Sequence, residues 1–284
     1  MIVVIIQIKT HLIVYVSLNQ MIFNKYISNK EIDVPEDDWF HILSEYSQEE
    51  IIADLSNEIL SGNIRLPTRI ITYEQMKESF IQLMNYHCNG IQYSDKVYTR
   101  YEYKYLLSGR YIDESNIGNT ASDYFHQESR FYCDSINSPS PYRVWNNEKF
   151  LHSALSALFT LKTDSLNMQV LRTCLHLRKY VASQFKPSIA KAIYKIFDAK
   201  DILDFSAGWG DRLCGFYACD STSSYTGIDP NTRLSEGYNQ QCWKYLKLCC
   251  KTKPVTIIHK PAEDVVFASD SFDTVFTSPP IFQY

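Results

Sequence analysis

The feature that most constrains the fold is an alternation of short apolar segments with helical stretches, which begins near residue 200. Four segments have the length and composition of buried strands: 202–205, 225–229, 255–259 and 274–277. Consecutive strands that are separated by helices cannot pair as hairpins. The pattern therefore predicts a parallel, doubly wound α/β sheet over the last third of the chain.

The first of these strands runs into a glycine-containing turn, residues 204–210 (DFSAGWG). Gly208 and Gly210 allow a tight turn and a close approach of the backbone to a ligand. A helix is predicted to begin near Asp211, and ligands of such sheets bind where strand meets helix. The third glycine of the dinucleotide fingerprint is replaced by Leu213, which counts against NAD.

Acidic residues follow the second and third strands. Asp229 lies 19 residues after Gly210, where a carboxylate can accept hydrogen bonds from both hydroxyls of a ribose. Taken alone, Asp229 could equally belong to an Asp-Pro turn. Glu263 and Asp264 follow the third strand, where they could meet an adenine ring or form an ordinary surface loop.

The fourth strand ends in Ser278-Pro279-Pro280. Proline fixes the backbone and removes donors, so the carbonyl group that precedes it can accept a hydrogen bond from a substrate amine. Such an acceptor draws the nitrogen lone pair out of conjugation and directs it at a methyl donor. This predicts catalysis by positioning and electrostatics without a covalent intermediate.

In their order along the chain and in their residues, these segments resemble the motifs of the exocyclic-amino DNA methyltransferases, which methylate adenine N6 or cytosine N4. Residues 204–210 match their first cofactor motif, Asp229 matches the ribose-binding acid, and 278–280 match the (D/N/S)-P-P-aromatic motif. Phe185-Lys186-Pro187 looks like the motif that closes over the methionine end of the cofactor. The resemblance covers about 100 residues, 185–284, and is greatest to methylases of large viruses and phages.

The resemblance implies a Rossmann-like class I methyltransferase sheet that uses S-adenosyl-L-methionine and acts on DNA. It implies catalytic roles for Ser278, Pro279 and Pro280. The residues expected to bind the cofactor are Lys186, Pro187, Asp204, Ser206, Gly208, Gly210, Asp229, Glu263 and Asp264. Carbon-5 methylation is disfavoured because it needs a cysteine nucleophile, usually after proline, and none of the eight cysteines follows a proline.

The sequence departs from the family at two points. Ile281 stands where the family has an aromatic residue that stacks on the flipped base. The chain also stops at Tyr284, so the predicted sheet is incomplete after its fourth strand, and a complementing chain is one expected partner. These departures leave three alternatives open: an RNA or protein-glutamine methyltransferase, a non-catalytic remnant, or one subunit of a split enzyme.

Residues 1–145 are expected to form a helical or mixed region with a role in DNA contact, and 146–284 the incomplete methyltransferase domain. Capping boxes at Ser47 and Thr72, and a first-turn proline at Pro187, predict three helices. Helices are also predicted over 148–161 and 168–183. The apolar segment 1–18 is read as a buried strand or an extension of little structure.

Charge is unevenly distributed, although the net charge is only −4. Residues 31–60 contain ten acidic and no basic residues, whereas 141–200 contain ten basic and three acidic residues. The basic segment, and the tyrosines interleaved with cations over 93–110, predict a nucleic-acid surface or a solvated face. No C-x-x-C pair predicts a metal site, and the cysteine usage favours reduced thiols in an intracellular protein. The apolar segment 1–18 is shorter than the about 20 residues of a membrane span, so no membrane partner is expected.

Overall fold

The computed structural model describes residues 21–88, 112, 115–135, 138–249 and 252–278 in full. It also describes the backbone of the strands that lie within 2–17 and 92–111.

Eleven helices occur in the described part of the chain, and several begin at the predicted caps. The helices are α1 (Glu36–Glu45), α2 (Gln48–Leu60), α3 (Tyr73–Asn85), α4 (Asn119–Phe131), α5 (Pro141–Trp145), α6 (Glu148–Leu155), α7 (Leu158–Leu161), α8 (Met168–Leu177), α9 (Pro187–Ile196), α10 (Asp211–Ala218) and α11 (Ser235–Cys249). Both capping boxes are present, and Pro187 is the first residue of α9. The predicted helix over 148–161 is two helices, and the helix from 168 ends at Leu177, before Lys179 adopts a left-handed backbone.

The described strands form four antiparallel groups and one parallel sheet. They are β1 (Ile2–Ile8), β2 (His11–Ser17), β3 (Ile27–Ser28), β4 (Glu31–Val34), β5 (Gln92–Ser94), β6 (Val97–Arg100), β7 (Tyr103–Leu106), β8 (Gly109–Tyr111), β9 (Leu166–Asn167), β10 (Asp201–Asp204), β11 (Ser224–Ile228), β12 (Val255–Ile258) and β13 (Thr274–Val275). The N-terminal segment is therefore a pair of strands, β1 and β2, rather than the single strand that its composition suggested.

The chain divides into two compact units, and neither follows the single boundary expected at 145/146. The first unit comprises Met1–Arg69 and Phe131–Ala182, and the second comprises Ile70–Arg130 and Ser183–Tyr284. The reason is the packing of the helices. Helices α3 and α4 share a core with the parallel sheet, whereas α5 to α8 share a core with β4, α1 and α2.

The first unit has a core of buried aromatic and aliphatic side chains. Trp39 and Trp145 are almost wholly buried there, and their indole N–H groups donate to the carbonyl oxygens of Thr163 and Ile64. Each tryptophan thereby ties its helix to a loop that is distant in sequence.

The second unit contains the predicted parallel sheet, in the order β12-β11-β10-β13. Strand β10 pairs in parallel with both β11 and β13, and β11 pairs in parallel with β12. All four predicted strands are thus confirmed, as is the α10 helix after the glycine turn. This α/β order matches one half of a doubly wound sheet together with its neighbouring strand.

Candidate functional site

The strand order creates a crevice between the ends of β10 and β13. From β10 the chain moves outward to β11 and β12, then returns to the other side of β10 as β13. Open α/β sheets bind ligands at this reversal, outside the carboxyl ends of the strands. The glycine turn follows β10 and Ser278 follows β13, so both motifs lie at this point.

The glycine turn and the acid after β11 are in direct contact. The Gly208 amide donates to Oδ2 of Asp229 at 2.8 Å, and the Asn231 amide donates to Oδ1 at 2.9 Å. Burial raises the pKa of Asp229, and these two amide donors oppose that rise. A carboxylate has about four acceptor positions, so Asp229 retains acceptors for ligand hydroxyls.

The two glycines of the turn are needed for different reasons. Both have positive φ, +61° at Gly208 and +71° at Gly210. A Cβ on Gly208 would make only an ordinary contact, 3.6 Å from the Ser206 carbonyl oxygen, so packing does not exclude a side chain there. A Cβ on Gly210 would lie 2.3 Å from Oε1 of Gln241, so that glycine is required by packing against α11.

Asp204 has a structural part in this arrangement. It is fully buried, and its Oδ2 accepts from Nε of Arg212 and the hydroxyl of Tyr225, both at 2.6 Å. Its Oδ1 accepts from a second Arg212 nitrogen at 3.0 Å and from the Ser206 amide at 3.3 Å. All four acceptor positions are therefore used within the protein, and Asp204, which was expected to bind the cofactor, supports the turn from below.

Ser206 joins the loop after β10 to the loop after β13. Its Oγ lies 2.6 Å from Oγ1 of Thr277 and accepts from the Ser278 amide at 3.1 Å. Arg212 donates to both the Ser206 carbonyl oxygen and, at 3.3 Å, the Ser206 hydroxyl. The glycine turn and the exposed Ser278 are thus connected by one side chain.

The Phe185-Lys186-Pro187 segment also lies against the glycine turn. The Phe185 amide donates to Oδ2 of Asp211 at 3.2 Å, and its ring packs edge-on against Phe276 at 5.7 Å. Pro187 is buried at the start of α9, so it acts in packing. Lys186 is half-buried and is the N-cap residue of α9.

Two further residues that were predicted to bind the cofactor lie after β12. Glu263 and Asp264 are exposed there on a single 3₁₀ turn, Ala262–Asp264. Pro279 and Pro280, like Ile281, lie outside the described residues, as do the side chains of the tyrosines over 93–105.

Helix α4 contributes a buried polar face that sequence reasoning missed. Its members are Ser122, Asp123, His126, Gln127 and Arg130. His126 Nε2 lies 3.0 Å from Oε1 of Gln241, whose Nε2 donates to the carbonyl oxygen of Gly210 at 2.8 Å. Because Oε1 is an acceptor, His126 carries a proton on Nε2. Burial lowers the pKa of His126 to about 4.

Asp211, the first residue of α10, is a second buried titratable group beside the turn. It accepts from the hydroxyl of Ser122 and from Nε2 of Gln184 at 2.8 Å. Burial raises the pKa of Asp211 to about 7, although these hydrogen bonds oppose the rise. Helix α4 therefore holds the turn through His126 on one side and Asp211 on the other.

One sequence signal could have revealed the pairing of Arg212 with Asp204. Arg212 stands in the first turn of a helix, where a cation is unfavourable, and apolar residues follow it. A charge in such a place must be paired. In α4 the polar residues recur at helical spacing, which is also the pattern of a solvated face. The sequence alone therefore does not distinguish a buried polar face from a solvated one.

In the described part of the chain, no group of three or more His, Cys, Asp or Glu side chains is placed to hold a metal ion. Within the same residues, no helix combines the length and apolar character needed to cross a membrane. Comparison of the chain with protein-family models, with curated proteins and with solved structures found no match in any of the three.

Proposed function

We propose that the second unit binds S-adenosyl-L-methionine at the crevice between β10 and β13, and that the chain is a methyltransferase for an exocyclic amino group of a DNA base. The observation that carries the proposal is the hydrogen bond from the Gly208 amide to Asp229. It joins a glycine turn to a strand-end acid at the reversal of the sheet, which is the arrangement a nucleoside cofactor needs.

The residues fit the cofactor on two counts. No tight protein packing surrounds the position of a Cβ on Gly208, and the glycine itself has no side chain, so the backbone can approach a ligand there. Asp229 has acceptor positions left for two vicinal hydroxyls. When bound, S-adenosyl-L-methionine supplies an electrophilic methyl group, and the residues of this chain have to bind it and orient the amine.

The expected roles of these residues follow from their positions. Asp229 accepts from the ribose hydroxyls, and Lys186 offers a cation to the carboxylate at the methionine end. The carbonyl oxygen of Ser278 accepts an N–H of the target amine, which localises the nitrogen lone pair. Catalysis is then a matter of alignment, since no nucleophile of the protein attacks.

Cofactor binding is tested by calorimetry on the full chain with S-adenosyl-L-methionine and its demethylated product. Asp229→Asn should weaken binding at least tenfold, because hydrogen bonds to a charged group contribute about 1.5–3 kcal/mol each. Glu128→Gln, which removes an exposed charge from α4, is the matched control and should bind as the wild type does. Absence of binding by the wild-type chain would refute the proposal.

The substrate is tested by transfer of a tritiated methyl group to DNA, RNA and protein in parallel. Label in DNA that is released as N6-methyladenine or N4-methylcytosine supports the proposal. Label in RNA or in a glutamine side chain would show that the substrate is that molecule and not DNA. Cofactor binding without transfer to any of the three supports the remnant or split-subunit alternative.

A further inference from the structure

We infer that Ser206 is a positioning residue that sets the Ser278 loop relative to the glycine turn. This inference rests on the proposed function. The loops that flank the crevice come from strands that are 70 residues apart in sequence, and within the described residues Ser206 contacts both sides.

The hydroxyl of Ser206 is fully used by these contacts. Its oxygen accepts from the Ser278 amide at 3.1 Å and from Nη2 of Arg212 at 3.3 Å, through a hydrogen that Nη2 shares with its other acceptors. A hydroxyl has two acceptor positions and one donor, so Ser206 must donate its own proton to Oγ1 of Thr277, 2.6 Å away. The Ser206 hydroxyl has no capacity left for a ligand, so Ser206, which was expected to bind the cofactor, instead connects the two loops.

Arg212 fixes the orientation of that hydroxyl. The guanidinium is buried and is held by two hydrogen bonds to the Asp204 carboxylate. It also lies 5.2 Å and 5.7 Å from the ring centroids of Phe185 and Phe276. These four contacts hold the guanidinium in one position, and it donates to both the Ser206 carbonyl and hydroxyl oxygens.

Different groups along the crevice therefore serve the cofactor and the target amine. Asp229 and Gly208 face the cofactor, and they are independent of the Ser206 hydroxyl. The Ser278 carbonyl faces the target amine, and its position depends on the Ser206 hydroxyl through the neighbouring amide. Loss of this hydroxyl should therefore misplace the amine while leaving the cofactor bound.

The test compares Ser206→Ala with Ser206→Thr, which keeps a hydroxyl. In Ser206→Ala, we expect the Kd for S-adenosylhomocysteine to change less than about threefold while kcat falls about 10- to 100-fold, the scale of a misplaced reacting group. Ser206→Thr should recover most of kcat. Thr277→Val should lose less than Ser206→Ala, because both N–H donors still reach Ser206.

A second measurement does not depend on activity. Amide exchange at Ser278, followed by NMR on the full chain, should be at least tenfold faster in Ser206→Ala than in the wild type and should be restored in Ser206→Thr. Unchanged exchange overturns the inference. So does an equal fall of cofactor affinity and kcat, which would mark a general structural role. If the wild type binds no cofactor, the proposed function fails, and the exchange measurement still decides whether Ser206 holds the loop.

Discussion

His126 and Asp211, which flank the glycine turn, should give the stability of the second unit two opposite dependences on pH. The pKa of His126 falls from 6.5 to about 4, and the pKa of Asp211 rises from 3.8 to about 7. Both residues are buried, and burial is the main cause of each change. The neutral form is favoured in each case.

The two contributions have opposite signs. As pH falls from 6.5 to 4, the unfolded chain protonates His126 and the folded chain does not, so stability falls by about 3 kcal/mol. As pH rises from 3.8 to 7, the unfolded chain ionises Asp211 and the folded chain does not, so stability falls by about 4 kcal/mol. Over the shared interval the two nearly cancel.

Single substitutions should reveal each contribution separately. In His126→Gln, the loss of stability relative to the wild type should be about 3 kcal/mol smaller at pH 4 than at pH 7. In Asp211→Asn, the loss should be about 4 kcal/mol smaller at pH 8 than at pH 4. The double variant should show neither dependence, because the remaining titrating groups are shared with the wild type and cancel in the difference.

The assay is urea unfolding at half-unit pH steps from 4 to 8, at constant ionic strength. Peptide-resolved hydrogen exchange over α10 reports on the second unit, because the two units need not unfold together. The reasoning is refuted if the two single variants change with pH in the same direction, or if neither changes by more than about 1 kcal/mol.

Three further predictions concern the turn and its supports. Asp204→Asn should destabilise the protein by about 3–5 kcal/mol, as loss of one partner of a buried ion pair does. Asp229→Asn should cost less, about 1–3 kcal/mol in urea unfolding, because it removes the acceptor for only one of the two backbone amides. Gly210→Ala should lower the melting temperature more than Gly208→Ala, because only the former also creates an overlap at 2.3 Å; equal effects would contradict the different roles of the two glycines. Lys253→Met should destabilise by about 1–3 kcal/mol, because the buried ammonium donates to carbonyl oxygens at the end of α10, and an unchanged unfolding midpoint would count against this.

Much of the fold is local and could be predicted. The strands β10 to β13 follow from apolar segments of the right length. The starts of α2 and α3 follow from capping boxes whose hydrogen bonds span three residues, and the start of α9 follows from a first-turn proline. The contact between Gly208 and Asp229 was also predictable in outline, since the carboxyl ends of adjacent parallel strands meet at one edge of a sheet.

The arrangement behind the turn could not be predicted in this way. A single boundary at 145/146 was expected, yet α3 and α4 pack with the parallel sheet, because the apolar face of a helix does not specify which core it joins. The sequence by itself determined the order of the motifs along the chain and the presence of a turn at 204–210. Only the tertiary structure decided that Arg212 pairs with Asp204 and that Ser206 contacts the loops on both sides of the crevice. It also decided that His126 contacts Gln241, which donates to Gly210. Buried polar partners are chosen by proximity across distant segments, and desolvation penalises any that remain unpaired.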